Sequence, residues 1–140
     1  QEKHILKNLK KVFLMIAGAG VQKYGTELEE HQQLLLAVAD ILIEVYMAES
    51  AVLRAEKNIG VYGLEAQEHQ VALSQLYLYQ AVEKISTKGR EAILGFAEGD
   101  EQKALLMGLK RFTKYMEYPN VIALRNKVAE KLTAENVYCF

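Results

Sequence analysis

The sequence predicts an all-α domain, and three observations carry that expectation. Ala, Leu, Glu, Lys and Gln, which lose little rotamer freedom in a helix, dominate the 140 residues. One proline and no tryptophan occur, so little interrupts the chain. Apolar residues recur at three- and four-residue steps between glycine-containing breaks and nowhere alternate as a half-buried strand requires. With 51% hydrophobic residues to build a core, the expected architecture is an up-and-down antiparallel bundle. It has four main helices plus a short fifth, in a single helical domain over residues 1–140.

The first helix is expected over Glu2 to Tyr24, with Ile5, Leu9, Val12/Phe13, Ile16, Gly20 and Tyr24 on one face. Gly25-Thr26 breaks it, Thr26 reads as an N-cap, and Glu27, Glu29 and Glu30 suit the start of a second helix. That helix is expected to run to about Lys57, with Leu28, Leu35, Val38/Ala39, Leu42, Val45/Tyr46 and Val52/Leu53 as its core face. Leu34, Ile41, Ala48 and Val52 lie off that seam, so the helix is apolar on two faces, one for the bundle and one for a partner. The third helix starts near Leu64 and carries Val71, Leu78, Val82 and Ile85, extending through Ala92, Ile93 and Phe96 past a weak point at Gly89, until Gly95 and Gly99 end it. Asp100 reads as the N-cap of a fourth helix with Leu105, Leu106, Leu109, Phe112 and Met116 inward. Pro119 stops that helix and sets the first turn of the fifth, whose inward residues are Val121, Leu124, Val128 and Leu132. Thr133 to Phe140 reads as irregular.

Charge and cysteine content narrow the function. Seventeen Lys and Arg face 18 Asp and Glu, which leaves no net field to draw in nucleic acid or an anionic membrane. Cys139 is the only cysteine, so neither an internal disulfide nor a thiolate zinc cage can form, and a reducing compartment, the cytoplasm, is expected. Lys7 to Lys11, the run Val12 to Val21 and Ala17-Gly18-Ala19 together mimic a signal peptide. The apolar spacing, however, begins before the lysines and continues past the supposed cleavage site. The run is also shorter than the roughly 20 apolar residues of a membrane span. A first residue Gln1 in place of methionine suggests a piece of something longer.

No constellation for chemistry emerges, and no catalytic, cofactor-binding or metal-ligating residue is assigned. The Glu-x-x-His spacing of bundle metal sites is missing; Glu27/His31 and Glu65/His69 are four residues apart at helix starts, where acids are expected anyway. Asp40 and Glu44 lie one turn apart in the most apolar part of the second helix. Buried together they would make a carboxylate dyad; the stronger reading is a narrow polar stripe with Gln33 and Ala37, paired with lysines of a neighbour. Ala17-Gly18-Ala19-Gly20 follows no strand, so it is not a phosphate loop but a place where a neighbouring helix can approach. Tyr46, Tyr77 and Tyr79 read as core or interface side chains. Ser50, Ser74 and Ser86 have no suitably placed histidine, and Cys139 reads as a small side chain docking the tail.

The segment His4 to Lys57, with HILKNLKKVFLMIAGAGVQKYG followed by LLLAVADILIEVYMAESAVLRAEK, resembles the extra C-terminal helical domain of acyl-CoA dehydrogenases. The likeness is to the long bacterial enzymes and, more distantly, the very-long-chain mitochondrial kind. Asp40, Tyr46, Ser50 and Arg54 match that pattern, and the tail Asn136 to Phe140 is similar to the family's. The resemblance implies a parent flavoprotein that converts acyl-CoA to trans-2-enoyl-CoA and passes electrons to an electron-transferring flavoprotein. Catalytic glutamate, FAD pocket and acyl-CoA cleft would belong to the preceding dehydrogenase body, and none of their motifs matches a position here. The expected function is therefore a non-catalytic structural and assembly domain, packing on that body or across a homodimer, with no direct membrane or nucleic-acid contact. The alternative is a stand-alone helical protein-interaction module.

Overall fold

The amphipathic segments form five helices in the computed structural model, which describes Gln1–Phe140: α1 (Glu2–Tyr24), α2 (Gln32–Tyr62), α3 (Glu68–Phe96), α4 (Gly99–Phe112) and α5 (Val121–Glu135). Cross-links give their directions. Lys3 pairs with Glu56 and Lys10 with Glu49, so α1 and α2 run antiparallel. Lys84 with Glu44 and Asn58 with Gln70 make α2 and α3 antiparallel. Lys23 Nζ at the end of α1 donates to the Phe96 carbonyl at the end of α3, satisfying an acceptor that the helix terminus leaves free. The core runs the length of the bundle, with Leu9, Val12, Ile16, Ile41, Leu78, Ile85 and Ile93 fully enclosed.

The fourth pillar departs from expectation. Helix α4 packs on α1 and on the C-terminal half of α3, where Leu109 lies against Gly89. Helix α5 packs, among the helices, on α3 alone, with Lys127 reaching Glu68 at the start of α3. The two short helices, 14 and 15 residues, therefore stack end to end along the 29 residues of α3 as one interrupted pillar. The interruption is earlier than Pro119: α4 ends at Phe112, Met116 is exposed, and the Tyr115 side chain turns inward to fill the gap. Asn120, following the proline, caps α5 by accepting from the Ala123 amide at 3.0 Å. Helix α5 continues to Glu135, with Val128 buried and Leu132 40% exposed.

Other boundaries also shift. Thr26 caps nothing; Gly25–Glu30 is a 3-10 turn, and α2 begins only after His31. Helix α2 passes Asn58 and Gly60 to stop at Gly63, whose φ of 86° suits glycine. Gly95 lies inside α3 and Gly99 opens α4, leaving Asp100 in the first turn and Glu98 at the cap position. Val71 is only half-buried. Gly89 is no weak point but a place where three helices meet closely: a Cβ there would lie 2.8 Å from Leu109 Cδ1 and 3.2 Å from Ile16 Cδ1.

The largest correction concerns α2. Its buried face is Leu34, Ile41, Val45, Ala48, Val52 and Ala55, not the seam through Leu35, Leu42 and Leu53. The two faces differ by one residue, about 100° of rotation. The runs Leu34-Leu35-Leu36 and Ile41-Leu42-Ile43 satisfy the helical period on either, and the small Ala48 and Ala55 let α3 close against their side. Two apolar faces were expected and are present: Val45 and Val52 of the expected seam lie inward, Leu34, Ile41 and Ala48 of the other face join them, and Leu42, Tyr46 and Leu53 lie outside.

Candidate functional site

The acids singled out in the sequence do not form a dyad. Glu44 is mostly buried, with Lys84 Nζ at 3.0 Å and the Tyr77 hydroxyl donating at 3.3 Å. Asp40 is half exposed and faces Lys88 at 3.8 Å. Each carboxylate thus answers a different lysine of α3, as the polar-stripe reading expects. Desolvation and the Glu44 charge push the Tyr77 phenol up, and its hydrogen bond to Glu44 raises Lys84. These pairs fix how α2 lies on α3; exposed ion pairs of this kind contribute about 0–1 kcal/mol each.

The remaining candidates stay apart. His31 stacks on Tyr24, ring centroids 3.5 Å apart, while His69 lies near Glu68 and not Glu65. No three His, Cys, Asp or Glu side chains converge on a point where a metal ion would sit. Desolvation, with a hydrogen bond to Glu135, raises the Cys139 thiol, the reverse of an activated nucleophile. Around it the tail folds back, with Arg54 donating to the Phe140 carbonyl at 3.2 Å and Lys131 over the Phe140 ring. Gly20 contacts Leu34, as a close helix approach requires, whereas Gly18 touches nothing within 4 Å. No helix is long and apolar enough to cross a membrane.

What the molecule offers instead is a surface. Leu36, Ile43 and Tyr46 on the outer side of α2 are 57, 58 and 67% exposed, and Leu42, Met47 and Leu53 flank them. From Leu36 to Leu53 the stripe is about 25 Å long at 1.5 Å per residue. Contiguous exposed apolar surface of this extent marks an interaction site. The sequence signal for it was the double apolar face of α2; of the outer residues, Leu42, Tyr46 and Leu53 were expected inward, and Leu36, Ile43 and Met47 were assigned to neither face. A second feature escaped composition altogether: the net charge of −1 conceals an uneven distribution, with no acid on α1 after Glu2.

Fold and surface together define a four-pillar helical domain that presents an apolar helix face. Residues 8–111 match the family described as acyl-CoA dehydrogenase, C-terminal domain. The chain belongs to that family. It is 36% identical over 129 residues to a probable acyl-CoA dehydrogenase of Bacillus subtilis (strain 168), covering 92% of this chain and 22% of that protein. It superposes with a TM-score of 0.95, at 33% identity, on the crystal structure of acyl-CoA dehydrogenase complexed with FAD from Bacillus anthracis, covering 99% of this chain and 24% of that one. The chain therefore spans less than a quarter of the length of these relatives.

Proposed function

We propose that this chain serves as the non-catalytic C-terminal structural and assembly domain of a FAD-dependent acyl-CoA dehydrogenase in the cytoplasm. It packs through the outer face of α2 on the dehydrogenase body or across a homodimer. The reading rests above all on the apolar stripe Leu36, Leu42, Ile43, Tyr46, Met47 and Leu53, which a free-standing helix surface has no reason to keep. The parent reaction, desaturation of an acyl-CoA to the trans-2-enoyl product in fatty-acid β-oxidation, belongs to the body. FAD supplies the hydride acceptor there. The placement of FAD in the body is supported by the lining of the cleft of about 600 Å³ at Tyr24, His31 and Phe96. Its rim carries Glu30, Asp40 and Glu91 against the single cation Lys88, which repels a pyrophosphate.

The test uses one pair of substitutions in two settings. Ile43→Lys with Tyr46→Lys should leave the melting of the 140-residue chain nearly unchanged, because both side chains are exposed. In the whole dehydrogenase the same pair should expose the domain to limited proteolysis or lower the oligomeric state seen by light scattering. A whole enzyme indifferent to both charges would refute the assembly role. A yellow, flavin-bearing 140-residue chain that reduces an electron acceptor with acyl-CoA would refute the non-catalytic one.

A further inference from the structure

The charge of this molecule is segregated by helix. Between Lys3 and Gly25 the chain carries lysines at 3, 7, 10, 11 and 23 and no acid, and between Gln102 and Met116 it carries Lys103, Lys110, Arg111 and Lys114 and no acid. On the side facing α2, Lys3 and Lys10 are neutralised by Glu56 and Glu49. On the side facing α4 nothing answers. There the N-terminal half of α1 passes the end of α4, and His4, Lys11, Arg111 and Lys114 line one cleft of about 440 Å³ whose wall holds no Asp or Glu. None of the four takes part in an ion pair.

Helix electrostatics account for only part of this. Arg111 lies in the last turn of α4, where the macrodipole favours a cation. His4 lies in the first turn of α1, where the dipole opposes one, and Lys11 is too far along the helix for either effect. Lys11 is also held at the cleft, its Nζ 5.5 Å from the centre of the Phe112 ring. Beneath these groups the wall is fixed: Asn8 is 8% exposed with its amide 3.3 Å from the His4 ring, and Tyr115 is 4% exposed. Lys11, Arg111 and Lys114 are exposed side chains around this floor with no acid among them, so an entering anion would relieve their mutual repulsion. A volume of 440 Å³ falls within the range of small-ligand sites.

We propose that the cleft between α1 and α4 binds a phosphate-bearing anion, gripped by Arg111 and Lys114 from one wall and Lys11 from the other. The guanidinium offers the forked donor geometry that suits phosphate oxygens, and the lysines add charge without geometric demand. The site lies on a different helix pair from the apolar stripe of α2, so it stands whether or not that stripe packs on a dehydrogenase body.

The test titrates the 140-residue chain with pyrophosphate and with ADP by calorimetry at low ionic strength, and sediments it with phosphatidylglycerol and phosphatidylcholine vesicles. Saturable binding at one site is expected. It should weaken at least tenfold in Lys11→Gln/Arg111→Gln, fall with added salt, and remain unchanged in Lys57→Gln, an exposed lysine outside the cleft. Sedimentation with phosphatidylglycerol alone, lost in the same double variant, would assign the same site to a lipid headgroup. Absence of saturable binding to every phosphate probe at millimolar concentration would overturn the proposal. So would equal loss in Lys57→Gln, which marks diffuse surface charge and no site.

Discussion

Replacing Gly89 by alanine tests how closely α3 is packed by α1 and α4. The new Cβ would lie 2.8 Å from Leu109 Cδ1 and 3.2 Å from Ile16 Cδ1, against an optimum of about 3.5–4.0 Å between carbons. Neither neighbour has room to retreat, since Leu109 is 2% and Ile16 0% exposed. Overpacking of this kind costs about 1–3 kcal/mol. Against it stands the helix propensity gained when alanine replaces an interior glycine, about 0.8–1 kcal/mol. Gly18→Ala separates the two effects, because Gly18 is also interior to a helix but has nothing within 4 Å of its added Cβ. The propensity gain is common to both substitutions and cancels. Gly18→Ala should therefore stabilise by about 0.5–1 kcal/mol, and Gly89→Ala should fall below it by the packing cost, about 1–3 kcal/mol. For a domain of this size that is about 3–9 °C between their melting temperatures by far-UV circular dichroism. Equal upward shifts in the two variants would refute the claim that α3 meets α1 and α4 without space to spare.

Other expectations follow from the same contacts. The buried Tyr115 hydroxyl has no hydrogen-bond partner, so Tyr115→Phe should match the wild type or exceed it by up to about 1 kcal/mol at neutral pH. Burial, aided by Glu2, raises the Tyr115 phenol above its ordinary value. Its contribution is therefore complete below the unfolded pKa of about 10 and lost as pH rises beyond it, and urea midpoints from pH 8 to 11 should decline less in Tyr115→Phe. Ile85 is fully buried, and Ile85→Ala should cost about 2–5 kcal/mol in urea denaturation. Asn120→Ala removes the cap of a helix that packs on α3 alone; the loss, about 1 kcal/mol, should appear as faster amide exchange confined to α5. The hydrogen bond from Lys127, with its charge, lowers the Glu68 carboxyl. That contact acts above the ordinary carboxylate pKa and fades as pH falls through the lowered one, so Lys127→Gln should remove the acid-side increase in α5 exchange.

The elements differ in how far they could be read from sequence, for local reasons. Helix α1 was legible at its bounds, Glu2 to Tyr24, and in its inward residues Ile5, Leu9, Val12 and Ile16, whose spacing keeps one face, although Leu6 and Asn8 beside that face are buried as well. The end of α4 was not, because Met116 keeps the helical step although the chain has already left the helix at Phe112. Nothing in a spacing pattern reports that Tyr115 turns inward there and that a second short helix resumes the same pillar. Gly89 was misread for a related cause: a propensity scale records the cost of glycine and not the Leu109 side chain that occupies the space. The assignment of Asp40 and Glu44 to lysines across the groove was legible, since a surface helix needs a polar stripe and α3 brings Lys84 and Lys88 to it.

Helix α2 and the basic cleft share one further lesson about what a one-dimensional reading discards. Periodicity finds faces but does not rank them: with three apolar residues in succession at Leu34 and again at Ile41, only the partner helix decides which third of the circumference is enclosed. With the small Ala48 and Ala55 on the buried side, the bulkier Leu36, Ile43 and Tyr46 are left outside as the surface offered to a partner. Net charge averages in the same way. The acids of α2 meet the lysines of α1 on one side and those of α3 on the other, so the sum over the chain is close to zero while the α1–α4 side keeps every positive charge it has. A bundle that sorts apolar surface to one helix and cations to another pair can hold two kinds of partner at once. Which surface serves which partner is fixed by helix contacts and not by composition.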